Sequence, residues 1–235
     1  RTFFYEILNQ VSQLKDQIDK NLRSLERLDL IRAKTLQPDL EYIFKHALTQ
    51  EIVYSGLLKK ERQLIHERIG LVMEQLFHDR LPEFYETLAY HFQQGESVLK
   101  AVEYLMKSGA KSLKRYALEE AHKYFQEAYD LLSHKPGKSI AEKKLIIDLI
   151  LEWAMVFYYR CDGRGWKNLF SSHKELAESL DDPERLAMFY AWHGFVFLSE
   201  DNKKAMNLLQ KALEIGETLE NQKIIGYACT WLTWI

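Results

Sequence analysis

The spacing of hydrophobic positions changes once along the chain, close to residue 45. Before this point, the segments 28–34 and 40–44 alternate apolar and polar residues on either side of Gln37-Pro38-Asp39, which predicts a β-hairpin. After it, apolar residues recur at helical spacing as far as Ile235. The pattern therefore predicts a small module that contains a hairpin, followed by a long succession of helices.

The residues before the hairpin have the pattern of a helix in two pieces. Within each piece, the apolar residues are three or four positions apart and so lie on one face of the helix. They are Phe4, Ile7, Leu8 and Val11 in the first piece, and Leu14, Ile18, Leu22, Leu25 and Leu28 in the second. Two helices followed by a hairpin are typical of the second half of a winged helix, so we expect a partial winged-helix module over residues 1–46 and linking helices over 47–81. Acidic residues interrupt its basic ones, which makes nucleic acid an unfavourable partner.

Residues 82–235 carry small and large apolar residues at repeated spacings. Counted from Pro82, the positions that fit the pattern are Tyr85, Leu88, Ala89, Phe92, Ala101, Leu105 and Ser108, then Gly109, Ala121, Phe125 and Ala128, and later Ala205, Leu209 and Ala212. This pattern is similar to that of tetratricopeptide repeats, in which small residues lie where two antiparallel helices approach closely. We expect an all-α, TPR-like superhelix in which the first two repeats share one helix, from Val98 to Lys114.

The second half of this array has weaker repeats but clear helix signals. A long helix is expected from Ile140 to Tyr159, and Asp181-Asp182-Pro183 has the capping chemistry that opens a helix. A helical hairpin is expected over residues 184–217. Residues 221–235 resemble the first helix of a truncated repeat, so we expect Trp231, Trp234 and Ile235 to be uncovered. We expect this C-terminal end to pack against a neighbouring molecule, as in self-association, or against a further segment of a longer protein.

Composition and charge narrow the class of protein. The 235 residues are 47% hydrophobic and carry a formal net charge of −2, so no overall field favours nucleic acid or an anionic membrane surface. No apolar run is long enough to span a bilayer. Cys161 and Cys229 match no metal-site spacing, and we expect reduced thiols in a cytoplasmic protein. Because the chain starts without methionine, we expect it to be part of a longer protein.

A resemblance to a known family rests on the segment that follows the hairpin. Its elements are Phe44, His46, Ala47, Leu48, Glu51, Tyr54, Leu57, Leu58, Arg62 and His66. Together they resemble the segment between winged helix and helical array in bacterial STAND-type signalling ATPases, most closely those with a class III adenylate or guanylate cyclase and TPR repeats. The likeness covers about residues 25 to 135. It implies an upstream ATPase domain as a partner, while this chain contains none of the ATPase or cyclase motifs.

The candidate functional residues form two sets. The first set forms a joint between the two modules and is expected to pack or hydrogen-bond; it consists of Phe44, His46, Glu51, Tyr54, Arg62 and His66. Beside it, Leu48, Ile52 and Leu57 are expected to form an apolar stripe that packs against the hairpin. The second set is expected on the inner face of the superhelix, where a protein or peptide partner would bind; it consists of Glu83, Glu86, Tyr90, Gln93, Met155, Tyr159, Phe189 and His193.

The sequence favours an interaction or sensor region over an enzyme. We assign no catalytic, cofactor-binding or metal-binding residue, because the histidines form no ligand or triad spacing. Two alternatives remain open. The first is a DNA-binding transcriptional regulator of the MalT-like type. The second is a small-molecule enzyme within the array, which requires a deep polar pocket with converging perturbed side chains.

Overall fold

The computed structural model describes residues 2–12, 15–35 and 39–235. These residues form three short strands and twelve α-helices. The strands are β1 (Thr2–Phe4), β2 (Ile31–Thr35) and β3 (Glu41–Phe44). The helices are α1 (Tyr5–Val11), α2 (Ile18–Arg27), α3 (Ala47–Ser55), α4 (Lys59–Leu76), α5 (Tyr85–Gln94), α6 (Val98–Lys114), α7 (Leu118–Ser133), α8 (Ile140–Arg160), α9 (Gly163–Glu178), α10 (Pro183–Phe197), α11 (Asn202–Thr218) and α12 (Gln222–Leu232).

The chain divides into two compact units, Arg1–Tyr104 and Leu105–Ile235. The prediction of a mostly helical protein with a small β-element is therefore confirmed. The division falls inside α6, whereas the boundaries expected at residues 46 and 81 stay predictions. No helix within the described ranges is both long and apolar enough to cross a bilayer.

The first unit contains an antiparallel sheet in the order β1-β3-β2. The predicted hairpin of β2 and β3 is confirmed, although Gln37 and Pro38 of its expected turn lie outside the described residues. The third strand was not predicted. Phe4 had been assigned to a helical face, and this was wrong, because it belongs to β1 and pairs with Glu41 of β3.

The two neighbouring phenylalanines of β1 point in opposite directions, as successive residues of a strand do. Phe3 stacks on Tyr42 with ring centroids 5.6 Å apart. Phe4 instead meets Phe77 and Phe84, with centroid distances of 5.4 and 5.8 Å. Contacts on both faces of β1 thus hold the strand, and they come from residues too distant in sequence to affect a local pattern.

A small hydrophobic core lies between the sheet and α2. Its fully buried members are Ile18, Leu22 and Ile31, and Phe44 packs against them. Ile18 and Leu22 are four residues apart and so share one face of α2. The predicted apolar face ends before Leu28, which caps the helix and is exposed. Leu14, expected on the same face, lies outside the described residues.

In the second unit, glycines allow helix pairs to approach closely. A Cβ atom added to Gly109 of α6 would lie 2.9 Å from Cε2 of Phe125 in α7. A Cβ atom at Gly194 of α10 would lie 2.8 Å from Cγ of Leu209 in α11. Such distances are shorter than van der Waals contact, so no larger residue fits without a shift. Four alanines of α7 and α11 are also fully buried, namely Ala121, Ala128, Ala205 and Ala212.

The predicted start of α10 is confirmed, and a charged cluster ties it to α8. The Asp182 side chain accepts a hydrogen bond from the Arg185 backbone N–H, and Pro183 occupies the first turn. Arg185 also donates to both carboxylate oxygens of Asp148, at 2.7 and 3.0 Å. Hydrogen bonding from Lys144, 2.8 Å away, lowers the pKa of Asp182 to about 2. Asp182 therefore remains ionised throughout the physiological range.

The end of the chain is only partly uncovered. Trp231 was expected to lack cover, and this was wrong, because it packs against Trp192 and Phe195 with ring centroids 4.8 and 5.0 Å away. Trp234 and Ile235 do remain exposed. Trp231 lies on the side of α12 that packs against α10, whereas Trp234 follows the end of α12.

Candidate functional site

The first unit contains a pocket of about 540 Å³ where α3, α4, α5 and β1 come together. Glu51 and Tyr54 reach it from α3, His66 from α4, and Tyr90 and His91 from α5. The i, i+3 spacing of the two α3 residues places them on the same face of the helix. The pocket therefore collects polar and aromatic side chains from three successive helices.

Three of these side chains form a continuous chain of hydrogen bonds. The Tyr54 hydroxyl lies 3.0 Å from Nε2 of His66. On the other side of the His66 ring, Nδ1 lies 2.9 Å from Nδ1 of His91. A hydrogen bond between two ring nitrogens requires that one carries the proton and the other accepts it. The chain Tyr54–His66–His91 thus links α3 to α5 through α4.

Aromatic and cationic contacts surround this chain. The Tyr90 ring meets His66 edge-on at a centroid distance of 5.5 Å. The Arg62 guanidinium lies 5.1 Å from the centre of the Tyr54 ring, within the range of a cation–π contact. His66 is almost fully buried, whereas half of Tyr90 is exposed. The contacts fix the orientation of His66 and leave Tyr90 accessible from solvent.

Both histidines are held in the neutral form near pH 7. Burial lowers the pKa of His91 to about 4, and the neighbouring His66 lowers it in the same direction. Burial also lowers the pKa of His66, with a further contribution from the positive charge of Arg62. A buried imidazole loses the hydration that stabilises its charged form. Two neutral rings can donate and accept one proton between them, which the 2.9 Å contact requires.

A second, smaller pocket adjoins the other side of Tyr54. It measures about 390 Å³ and is lined by Tyr54, Arg62 and Gln93, among others. Tyr54 lines both pockets, so a change in its position alters both. Within the described residues, no group of three or more His, Cys, Asp or Glu side chains is placed to hold a metal ion.

The structure brings together four of the six joint residues. Tyr54, Arg62 and His66 contact one another, and Glu51 lines the same pocket. Phe44 lies elsewhere, against the core of the small sheet. His46 occupies the N-cap position of α3, but its side chain makes no capping hydrogen bond and is exposed. Its expected packing or hydrogen-bonding role is therefore not what the structure shows.

The apolar stripe expected on α3 was also wrong. Leu48 and Ile52 are both largely exposed, and α3 has no buried residue at all. The side of α3 that carries Glu51 and Tyr54 faces the pocket instead. Polar contacts of Tyr54, rather than apolar packing against the hairpin, therefore attach α3 to α4.

The expected inner-face residues lie in different environments. Tyr90 and Gln93 line the two pockets, Glu83 and Tyr159 are exposed, and Glu86 and Met155 are half-buried. Phe189 and His193 are fully buried, so their assignment to a partner surface was wrong. Both rings pack on Phe170 of α9, with centroid distances of 4.8 and 6.0 Å. One residue of register error rotates a side chain by about 100°, which exchanges the inner face for the core.

The sequence did not indicate the role of His91. His66 was expected to pack or hydrogen-bond within the joint, and His91 had no assigned role. The two histidines are 25 residues apart on different helices, and neither lies at a metal-ligand spacing from the other. Only the packing of α4 against α5 brings them into contact.

Comparison with known proteins leaves the family open. The chain is 25% identical over 181 residues to an uncharacterized protein of Rhizobium meliloti (strain 1021). The matched stretch covers 76% of this chain but only 17% of the length of that relative. No family model matches the chain.

Proposed function

We propose that this chain is a non-catalytic interaction and sensor region of a larger signal-transduction protein. The observation that carries the proposal is the hydrogen-bonded chain Tyr54–His66–His91, which connects the helix after the sheet to the first helix of the proposed array. The resemblance to STAND-type ATPases and the much greater length of the Rhizobium relative support a location within a multidomain protein.

Two features of the fold support the proposed modules. Two helices between β1 and β2, with the sheet order β1-β3-β2, fit a partial winged helix. The close approaches at Gly109 and Gly194 fit TPR-like repeats, since small residues occupy the positions where paired helices meet. Of the positions counted from Pro82, Tyr85 is half-buried, and the other six are buried as such a repeat requires, namely Leu88, Ala89, Phe92, Ala101, Leu105 and Ser108.

The mechanism begins at the exposed side of α5. A protein or peptide partner contacts Tyr90 and the nearby Glu83 and Glu86, and its binding favours one position of α5. When α5 moves, His91 on this helix displaces His66 and Tyr54, because the hydrogen bonds that join them tolerate little change in length. The position of α3 then differs between the free and the bound state, which is the signal for an upstream ATPase domain.

The enzyme alternative receives less support from the site. Tyr54 and His91 occupy both ring nitrogens of His66, so this ring has no free base to offer a substrate. No carboxylate among the described residues is hydrogen-bonded to either histidine, so the arrangement that activates a nucleophile is not formed there.

The DNA-binding alternative depends on α2, which would be the reading helix of a winged helix. Its exposed face carries Lys20, Arg23 and Arg27, but Asp19 and Glu26 lie among them. Phosphate binding requires a concentrated positive surface, so this mixed face favours weak binding at best.

The proposal is tested by selecting peptides that bind the 235-residue chain and measuring their affinity by calorimetry. We expect the substitution Tyr90→Ala to weaken binding by about tenfold, because exposed aromatic residues commonly dominate partner binding. Met206→Ala is the control, since Met206 is exposed on α11 and outside the proposed surface. Equal affinities for the Tyr90 variant and the unmodified chain would contradict the proposal. Salt-sensitive binding to duplex DNA would favour the regulator instead.

A further inference from the structure

The second unit contains a cavity of about 450 Å³ that the proposed function does not use. It lies where the C-terminal ends of α8 and α10 meet the start of α9. Its walls include Phe157 and Tyr158 from α8, Trp166 from α9 and Phe195 from α10, and Trp234 lies at its edge. Pockets of this size are typical of sites for small molecules.

Aromatic rings form a continuous wall around this cavity. Phe195 is central to the wall, because its ring centroid lies 5.2 Å from Trp166, 5.5 Å from Tyr158 and 5.9 Å from Trp234. Trp166 is almost fully buried, whereas Trp234 exposes 61% of its surface. The cavity therefore has a buried aromatic interior and an accessible aromatic edge.

No charged side chain lines the cavity, and every residue between 105 and 235 is described. A charged ligand would lose its hydration there without gaining a counterion, which is costly. An uncharged ligand with an apolar surface loses little favourable hydration when it enters. The uncharged lining thus selects against ions, and the ring faces favour planar aromatic groups that stack or pack edge-on.

One polar group in the wall lacks a partner. The indole Nε1 of Trp166 is buried, and it finds no hydrogen-bond acceptor within the described residues. Buried tryptophan N–H groups usually have a partner, because leaving one unsatisfied is unfavourable. An acceptor atom on a bound molecule would remove this cost after a small rotation of the ring.

We propose that this cavity binds a small, uncharged aromatic molecule that carries one hydrogen-bond acceptor. The aromatic part of the molecule packs against Phe195 and Trp234, and its acceptor pairs with the Trp166 N–H. This assignment is independent of the proposed partner-binding role of α5, since all the residues that carry it belong to the second unit.

The two cysteines provide an internal control for the experiment. Both are exposed and unpaired, but only Cys161 lines the cavity. Quinoline is a suitable probe, because it is planar, uncharged at neutral pH and has one acceptor nitrogen. We expect increasing quinoline to slow alkylation of Cys161 by a thiol reagent, with no effect on Cys229, as measured by mass spectrometry of the two cysteine peptides.

Two substitutions test the separate parts of the assignment. Trp234→Ala removes an exposed ring, and we expect it to weaken quinoline binding by about two- to tenfold. Trp166→Phe removes the N–H, and we expect it to weaken quinoline binding by about fivefold while leaving the affinity for naphthalene, which has no acceptor, nearly unchanged. Naphthalene therefore also reports whether the Trp166 variant keeps its cavity.

Three results would overturn the proposal. The first is equal protection of both cysteines, or protection of neither, up to the solubility limit of quinoline. The second is an unchanged affinity in Trp234→Ala. The third is an equal loss of affinity for quinoline and naphthalene in Trp166→Phe, which would remove the role assigned to the indole N–H.

Discussion

The Nδ1 atoms of His66 and His91 lie 2.9 Å apart, and the hydrogen bond between them exists only while at least one ring is neutral. Burial of both rings ensures this condition near neutral pH, since it lowers both pKa values. The same contact joins α4 to α5. The stability of the first unit and the proposed relay therefore depend on the same pair of side chains.

The first prediction concerns pH. The folded-state pKa of His91 is about 4, below the unfolded value of about 6.5, so the unfolded chain binds a proton first as the pH falls. The stabilising effect of the neutral ring is complete above about pH 6.5 and decreases from there towards pH 4. The free energy of unfolding should fall by at most about 1.4 kcal/mol per pH unit for such a histidine.

Urea unfolding at several pH values between 5 and 7 measures this effect. The substitution His91→Gln should make the dependence of the unfolding free energy on pH shallower, while His66 and His193, whose pKa values burial also lowers, maintain the rest of it. The control is His46→Gln, because the His46 side chain is exposed and makes no capping hydrogen bond. An identical pH dependence in His91→Gln and the unmodified protein would show that the pKa of His91 is the same in the folded and the unfolded state.

The second prediction concerns Tyr54. Tyr54→Phe keeps the ring but removes the hydroxyl that bonds to His66, and we expect a loss of about 1 kcal/mol in unfolding free energy. The matched control is Tyr227→Phe, on α12, which should change the unfolding free energy by less than about 0.5 kcal/mol. Chemical denaturation of the three proteins in parallel provides the measurement, and a Tyr54 variant as stable as the control would refute the structural role of the bond.

The third prediction concerns His46. Its side chain is exposed and caps nothing, so His46→Ala should change the unfolding free energy by no more than about 0.5 kcal/mol. This expectation is the opposite of the one that the sequence suggested. A loss comparable to that of Tyr54→Phe would mean that His46 contacts the first unit in solution.

The fourth prediction concerns the glycines of the second unit. Gly109→Ala places a methyl group 2.9 Å from the Phe125 ring, and we expect it to destabilise the protein by about 1–3 kcal/mol. Gly226→Ala in α12 is the matched control, since nothing lies within 4 Å of its added Cβ. Alanine favours helices, so this control should stabilise by up to about 1 kcal/mol. Thermal denaturation gives both values, and equal effects would contradict the close approach of α6 and α7.

Local patterns in the sequence were sufficient to predict the helices. The bounds of α6, the cap of α10 and the buried small residues at Ala121 and Ala205 follow from spacing within one or two helical turns. The hairpin of β2 and β3 is likewise local, because its strands adjoin in sequence. In these regions, the secondary structure that the local sequence favours is also the one that the packing of the protein stabilises.

The errors arose where distant residues decide the outcome. β1 exists because β3, almost forty residues later, pairs with it, while its short sequence has no strand pattern of its own. Trp231 is buried by rings of α10 that are likewise remote in sequence. At Phe189 and His193 the helix was predicted correctly, but its rotation was not, and rotation decides which side chains face the core.

The central claim is that His91 on α5 controls the position of α3 through His66 and Tyr54. Hydrogen exchange of the backbone amides of α3, residues 47–55, tests this claim most directly in the variant His91→Phe, with α11 as the internal reference. We predict that exchange in α3 becomes about fivefold faster, as expected for the loss of one hydrogen bond, while exchange in α11 is unchanged. Unchanged exchange in α3 would contradict the account.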